Sequence, residues 1–207
     1  MKLKKLIIFD LDGVLLDSKN NMKLSWRYVQ QKHKVKKSFD TYSKYIGLPF
    51  QEILKKMNIH NNRNDIQKTY SEASLLFFDT FKLFRGSLDI INLLKKNYKL
   101  AIFTSKDKKR TSLILKKNKL KISTVITPGE NLRGKPYPDA IFYIMRKLNI
   151  KNKRNVIYVG DTKTDLYTAK NAKINYIQAN YGFFSFKHKC VINNIIQLPK
   201  ILKIINF

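Results

Sequence analysis

Four short apolar runs punctuate the chain: Leu6-Ile7-Ile8-Phe9, Leu100-Ala101-Ile102-Phe103, Thr124-Val125-Ile126 and Val156-Ile157-Tyr158-Val159. None alternates with polar residues, which is the pattern of strands buried on both faces in a parallel sheet. Tyr176-Ile177 adds a candidate edge strand. Helix-length stretches lie between the runs. In 139–148, Ala140, Ile141, Ile144, Met145 and Leu148 share one face, and 89–96 and 108–117 repeat the pattern less regularly. Strand and helix alternating from residue 86 onward predict an α/β fold with right-handed crossovers.

Residues 19–84 break that rhythm, and no strand is expected in them. Over 65–84, Ile66, Tyr70, Ala73, Phe77 and Phe81 recur at three- and four-residue steps and predict one amphipathic helix. Trp26 and Val29 mark an earlier helix, with Trp26 in its core. A third covers 51–57, opened by Pro49 after the turn Ile46-Gly47-Leu48-Pro49. The expected organisation is a Rossmann-like parallel-sheet core of residues 1–18 and 85–207, into which an all-helical unit of residues 19–84 is inserted. Asp17-Ser18 is read as the N-cap and hinge at its entrance. A last helix is expected over 193–205, interrupted near Pro199.

Composition narrows the picture. At 207 residues and 43% hydrophobic, the chain has the size of one domain with a modest insertion and can bury a real core. The single cysteine, Cys190, cannot form an internal disulfide, and no Cys/His spacing suits zinc. His33, His60 and His188 read as surface residues. No apolar run approaches the roughly 18 residues of a membrane span. After Met1-Lys2-Leu3-Lys4-Lys5 the apolar stretch ends at Asp10, too short for an export signal, so a cytoplasmic location without membrane contact is expected. The net charge is +28, from 42 basic and 14 acidic residues. Such a balance suits a nucleic-acid or anionic-surface binder. Yet only seven of the basic residues are Arg, and the lysines are scattered through a chain crowded with Asn and Ile. That is the compositional drift of AT-rich coding, and nucleic acid is not the expected partner. A positive field still draws small phosphorylated anions.

The polar residues that end the apolar runs carry the chemistry. The first run stops at Asp10-Leu11-Asp12-Gly13-Val14, the second at Thr104-Ser105, another at Gly160-Asp161-Thr162-Lys163-Thr164-Asp165. In an open parallel sheet the carboxyl ends of the strands form one ligand-binding edge. Asp10, Asp12 and Asp161, with Asp165 nearby, would converge there beside a hydroxyl pair. Gly13 and Gly160 would allow close backbone approach. Converging carboxylates suit Mg²⁺, and Lys135, in Gly134-Lys135-Pro136, would set a fixed cation against them.

These four motifs, in this order, resemble the haloacid dehalogenase-like (HAD) superfamily, specifically its phosphatases with a C1-type helical cap; phosphoglycolate phosphatase-like enzymes are the nearest-looking subgroup. The resemblance spans nearly the whole chain. It implies a Mg²⁺-dependent phosphatase acting on a small phosphorylated metabolite, of phosphoglycolate or sugar phosphate type. Asp10 would be the nucleophile that forms an aspartyl-phosphate, and Asp12 the general acid and then base. Mg²⁺ would be held by the Asp10 carboxylate, the Asp12 main-chain carbonyl and Asp161, with Asp165 orienting a metal-bound water from behind. Thr104, the Ser105 amide, Lys135 and Gly13 would bind the phosphoryl group. Asp12 argues against dehalogenation, which needs no leaving-group acid. A β-phosphoglucomutase-like phosphotransferase and a basic nucleic-acid binder with a relict site are the alternatives. The 46–49 turn falls where C1 caps place a substrate-selecting loop, though a plain helix–helix turn reads equally well. Arg85 replaces the proline that relatives carry before Gly86 and reads as solvated. Tyr181-Gly182-Phe183-Phe184 is expected to pack the cap on the core.

Overall fold

Strand side chains alternate between faces, so a run that is apolar throughout must be covered on both sides. The computed structural model describes residues 5–129 and 131–207 and bears this out; the charged start at Met1–Lys4 lies outside the described residues. In chain order the elements are β1 (Leu6–Phe9), β2 (Leu16–Asp17), α1 (Lys19–His33), α2 (Phe39–Ser43), α3 (Phe50–Lys56), α4 (Arg63–Leu76), β3 (Lys82–Leu83), α5 (Ser87–Leu94), β4 (Lys99–Phe103), α6 (Lys108–Lys117), β5 (Thr124–Ile126), α7 (Asp139–Lys147), β6 (Val156–Gly160), α8 (Lys163–Ala172), β7 (Asn175–Ala179), β8 (Val191–Ile192) and α9 (Leu198–Ile204). A six-stranded parallel sheet has the order β5-β4-β1-β6-β7-β8. Ile7, Phe9, Ile102 and Val159 face α5, α6 and α9, while Ile8, Phe103, Val156 and Tyr158 face α7 and α8. This is an α/β, Rossmann-like core. Each fully buried Leu or Ile contributes roughly 1.5–3 kcal/mol.

From β1 the chain moves to β4 and β5 on one side, then returns to β6 and β7 on the other. The connections leaving β1 and β6 therefore diverge, and the crevice at their carboxyl ends is the ligand position of such sheets.

Helices α1 to α4 bury a core of their own. It contains Trp26, Val29, Tyr42, Leu54, Met57 and Tyr70, with Trp26 stacked on Tyr42 at 4.9 Å. Phe183 and Phe184, from the loop after β7, pack against it.

The expectation of one helix over 65–84 fails at its second half. α4 stops at Leu76, a 3-10 turn follows at Phe78–Thr80, and β3 pairs antiparallel with β2. The buried Asn21 amide, donating to the carbonyls of Ser74 (3.0 Å) and Phe77 (2.9 Å), ties α1 to the end of α4. Phe81 keeps its apolar role but faces the sheet core. Three further readings change. β7 is an inner strand, because the two-residue β8 forms the edge. Pro199 opens α9 instead of interrupting it, since its missing N–H costs nothing in a first turn. Ser18 occupies the N-cap of α1 without a capping hydrogen bond; the Lys19 amide donates to Asp17 Oδ1 instead (3.3 Å). No helix among the described residues is long and apolar enough to cross a membrane.

Candidate active site

Asp10 is the first residue past β1, and its amide still donates to the Val159 carbonyl across the crevice (2.9 Å). The chain then folds back at once, with the amides of Leu15 (3.0 Å) and Leu16 (2.9 Å) donating to the Leu11 carbonyl. Gly13 makes this turn possible. Its φ is +81°, and a Cβ there would overlap the Asp161 carboxylate. Its amide donates to the Leu16 carbonyl (2.9 Å), so its contribution to the site is space and backbone shape.

On the other side of the crevice, Asp161 follows β6 and Thr162 caps α8. The Thr162 hydroxyl accepts from the Asp165 amide (3.1 Å) while the Asp165 carboxylate accepts from the Thr162 amide (3.0 Å), a complete capping box. Gly160 is needed because a side chain there would strike Asp165.

Asp10, Asp161 and Asp165 each present a carboxylate oxygen within 4.8 Å of the others. The buried Lys135 ammonium bridges two of them, at 3.0 Å from Asp10 Oδ1 and 2.8 Å from Asp165 Oδ1. Burial alone would push Lys135 down, but the charges of Asp10 and Asp165 hold its pKa above the usual lysine value. Asp165 stays ionised for the complementary reason. Burial raises it, and Lys135 together with the Thr162 hydrogen bonds brings it below the ordinary carboxylate value. With Tyr158 also donating to Oδ1 (2.9 Å), the Asp165 carboxylate is saturated. Lys135 is among the groups it holds.

Asp10 and Asp161 are less well compensated. Burial, opposed by Lys135 and reinforced by Asp165 and Asp12, pushes Asp10 up to about 7. Burial and the charges of Asp165 and Asp10 push Asp161 well up, against the Phe183 amide and Lys135. The Phe183 amide reaches Asp161 Oδ2 (2.7 Å), whereas Asp161 Oδ1 is buried with no hydrogen-bond partner among the described residues. A bare buried carboxylate oxygen beside two more carboxylates and a single ammonium fits a divalent cation bound through oxygen.

Asp12, Thr104 and Ser105 line a pocket of about 50 Å³ between the sheet edge and helices α1 to α4, with Asp10 also in its wall. Thr104 is buried; the Ser105 hydroxyl donates to the Gly47 carbonyl (2.9 Å), fixing the 46–49 turn over the site. Ile46, Gly47 and Leu48 all border the cavity. Arg85 is exposed and lies away from it. His60 is also exposed, but His33 and His188 are half-buried, His33 bonded to the Thr69 hydroxyl (2.8 Å). A larger groove of about 700 Å³ runs along α6 and β5, away from the carboxylates.

Two cations in the cavity wall escaped the sequence reading. Lys106 is 3.2 Å from Asp12 Oδ1, and burial holds its pKa below the usual lysine value despite that carboxylate. Arg110, on α6, pairs through Nε with Asp107 and lies over the Tyr70 ring at 5.4 Å. The available signal was position: Lys106 directly follows Thr104-Ser105, and Arg110 lies one helical turn further, among lysines that made it inconspicuous.

The chain is 26% identical over 179 residues to a phosphorylated carbohydrates phosphatase of Thermotoga maritima, covering 83% of this chain and 82% of that protein. It is 25% identical over 195 residues to phosphoglycolate phosphatase 1 of Pseudomonas aeruginosa, covering 88% and 71%. In fold it matches the crystal structure of a hydrolase from Pseudomonas syringae, with a TM-score of 0.88, 21% identity and coverage of 98% and 99% of the two chains. Residues 7–179 match the family model described as haloacid dehalogenase-like hydrolase, from the first buried strand through the last long one. The crevice between β1 and β6 thus belongs to a known lineage: this chain is a member of the haloacid dehalogenase-like hydrolase family.

Proposed function

We propose that this chain hydrolyses small phosphorylated metabolites with Asp10 as the nucleophile. The observation that carries this reading is the buried pairing of Asp10 with Lys135, 3.0 Å apart, at a cavity that Asp12 also lines. An Asp10 oxygen attacks phosphorus, the bond from phosphorus to the ester oxygen breaks, and Asp12 gives that oxygen its proton. Asp12 then takes a proton from the water that attacks the aspartyl-phosphate, and the bond from phosphorus to Asp10 breaks. Thr104, the Ser105 amide and Lys135 hold the phosphoryl oxygens throughout, the positioning and charge terms that dominate phosphoryl transfer. Asp10, Asp161 and the Asp12 main-chain carbonyl would hold Mg²⁺, which supplies positive charge against the phosphoryl oxygens.

Residues 19–84 serve as a cap on a core of residues 1–18 and 85–207. The separate core of α1 to α4 and the Ser105–Gly47 hydrogen bond support this division. Such a cap opens for substrate and closes to keep bulk water from the intermediate.

Asp10→Asn tests the assignment. Phosphate release from p-nitrophenyl phosphate and a panel of phosphorylated metabolites should disappear while the circular dichroism spectrum is kept; residual turnover at the wild-type level refutes the nucleophile. Asp12→Ala should slow both halves of the reaction. Acid quenching and counting of protein-bound phosphate would then reveal slow gain and slow loss, and rapid loss would assign the water's proton to another base.

A further inference from the structure

On the side of the sheet away from β8 the outermost strand is β5, which pairs with β4 alone. The Thr104 amide donates to the Ile126 carbonyl (3.1 Å), so Ile126 turns its backbone groups inward to β4. Successive residues of a strand turn theirs to opposite sides, and the N–H and C=O of Val125 therefore point out of the sheet. Neither has a backbone partner among the described residues. An unpaired strand edge of this kind is a template for another strand.

That edge and α6 form the groove of about 700 Å³. Leu115, Ile122 and Val125 give it a half-buried apolar floor. Thr127 also borders it, and its hydroxyl is buried with no hydrogen-bond partner among the described residues. Lys108 stands at one end of the groove, where α6 begins; Lys116, Lys119 and Lys121 stand at the other, where the helix ends and the chain turns back to β5. All four lysines are exposed and lack a salt-bridge partner among the described residues, none of which brings a carboxylate to the lining. They are a third of the twelve lining residues, about twice the share of lysine in the whole chain. The charge here is thus denser than the general scatter.

The lysines decide what can pair at this edge. A second copy of this chain would bring its own lysines to it, and like charges keep such edges apart. A purely apolar strand gains the floor and not the rim. A strand with carboxylates at its ends gains both.

We propose that the edge of β5 takes an extended segment of a partner protein as an added strand, apolar at its centre and acidic at both ends. Its backbone pairs with Val125, its apolar side chains cover Leu115 and Ile122, and its carboxylates meet the lysines. The ten residues of α6 span about 15 Å, which about five residues of extended chain cover. This surface lies away from Asp10 and draws nothing from the chemistry there.

The test is fluorescence anisotropy of the full chain in low-salt buffer with the labelled peptide Glu-Glu-Val-Thr-Val-Glu-Glu. One control carries methyl groups on the three central amide nitrogens, which removes the strand hydrogen bonds and keeps the charge. The other replaces every Glu by Lys. The acidic peptide should bind about ten times tighter or more than either control. Val125→Pro removes an N–H that the ladder to β4 does not use, so it should keep the circular dichroism spectrum and lose about tenfold or more in affinity. Lys116→Glu combined with Lys121→Glu should lose as much, and it carries the readout should Val125→Pro not fold. A ratio below ten against either control, or a smaller loss in a folded variant of either kind, overturns the proposal. So does sedimentation that finds a dimer which Val125→Pro dissociates, since the groove then belongs to a second copy.

Discussion

Asp10 carries its negative charge at a cost that the fold does not remove. Burial foremost, then the charges of Asp165 and Asp12, outweigh Lys135 and raise its carboxyl from 3.8 to about 7. In the unfolded chain it titrates near 3.8. Between these values the folded chain holds a proton that the unfolded chain has lost, so the stability this group contributes falls as pH rises through that window. In the presence of a chelator, Asp10→Asn should melt above the wild type at pH 8, and the gap should shrink at pH 5. Adding Mg²⁺ at pH 8 should narrow it too, because a bound cation offsets the same charge. Thermal denaturation at the two pH values checks this; an equal gap at both would show that Asp10 is not the titrating group.

At the scale of elements, α8 and α1 hold separate parts of the site. Thr162 closes the capping box of α8, and through Asp165 it also fixes Lys135. Thr162→Ala should cost about 1 kcal/mol in chemical denaturation, the usual worth of an N-cap. It should also reduce phosphate release, because Asp165 loses the hydroxyl at 2.7 Å from its Oδ2. Trp26 belongs to the other unit. Fully buried and hydrogen-bonded through Nε1 to the Lys37 carbonyl (2.9 Å), it should cost roughly 3–5 kcal/mol on replacement by Ala. Denaturant unfolding would measure that, and a loss below 1 kcal/mol would mean that the core of α1 to α4 is not packed around it. Elements of this kind were readable from periodicity, as at 108–117, where the predicted and observed helices coincide. Periodicity failed at Phe77 and Phe81. Their spacing suits a helix, but it cannot say which core an apolar residue faces, and Phe81 joins the sheet while the backbone leaves α4 to pair with Leu16. β2, β3 and β8 have two residues each, too few for any period to register.

For the whole molecule, the +28 charge sets a field rather than a site. A phosphorylated substrate should meet this protein faster at low ionic strength, so kcat/KM should drop several-fold as salt rises from about 20 to about 200 mM and the Debye length shrinks. A flat salt profile would remove the charge from the encounter. The sequence by itself determined the α/β alternation and the motifs at the strand ends, because burial on both faces and the change to polar residues are local properties of the chain. It also singled out Asp10, Asp12, Lys135, Asp161 and Asp165 as the chemistry-bearing set. Only the tertiary structure decided how differently their charges are met: Asp165 saturated by Lys135, Tyr158 and Thr162, and Asp161 left with a bare oxygen among the described residues. It alone placed Lys106 and Arg110 with Tyr42 and Tyr70 in one cavity wall. The two tyrosines lie dozens of residues before the two cations, and what a buried charge does depends on which groups the folded backbone sets within a few ångströms of it.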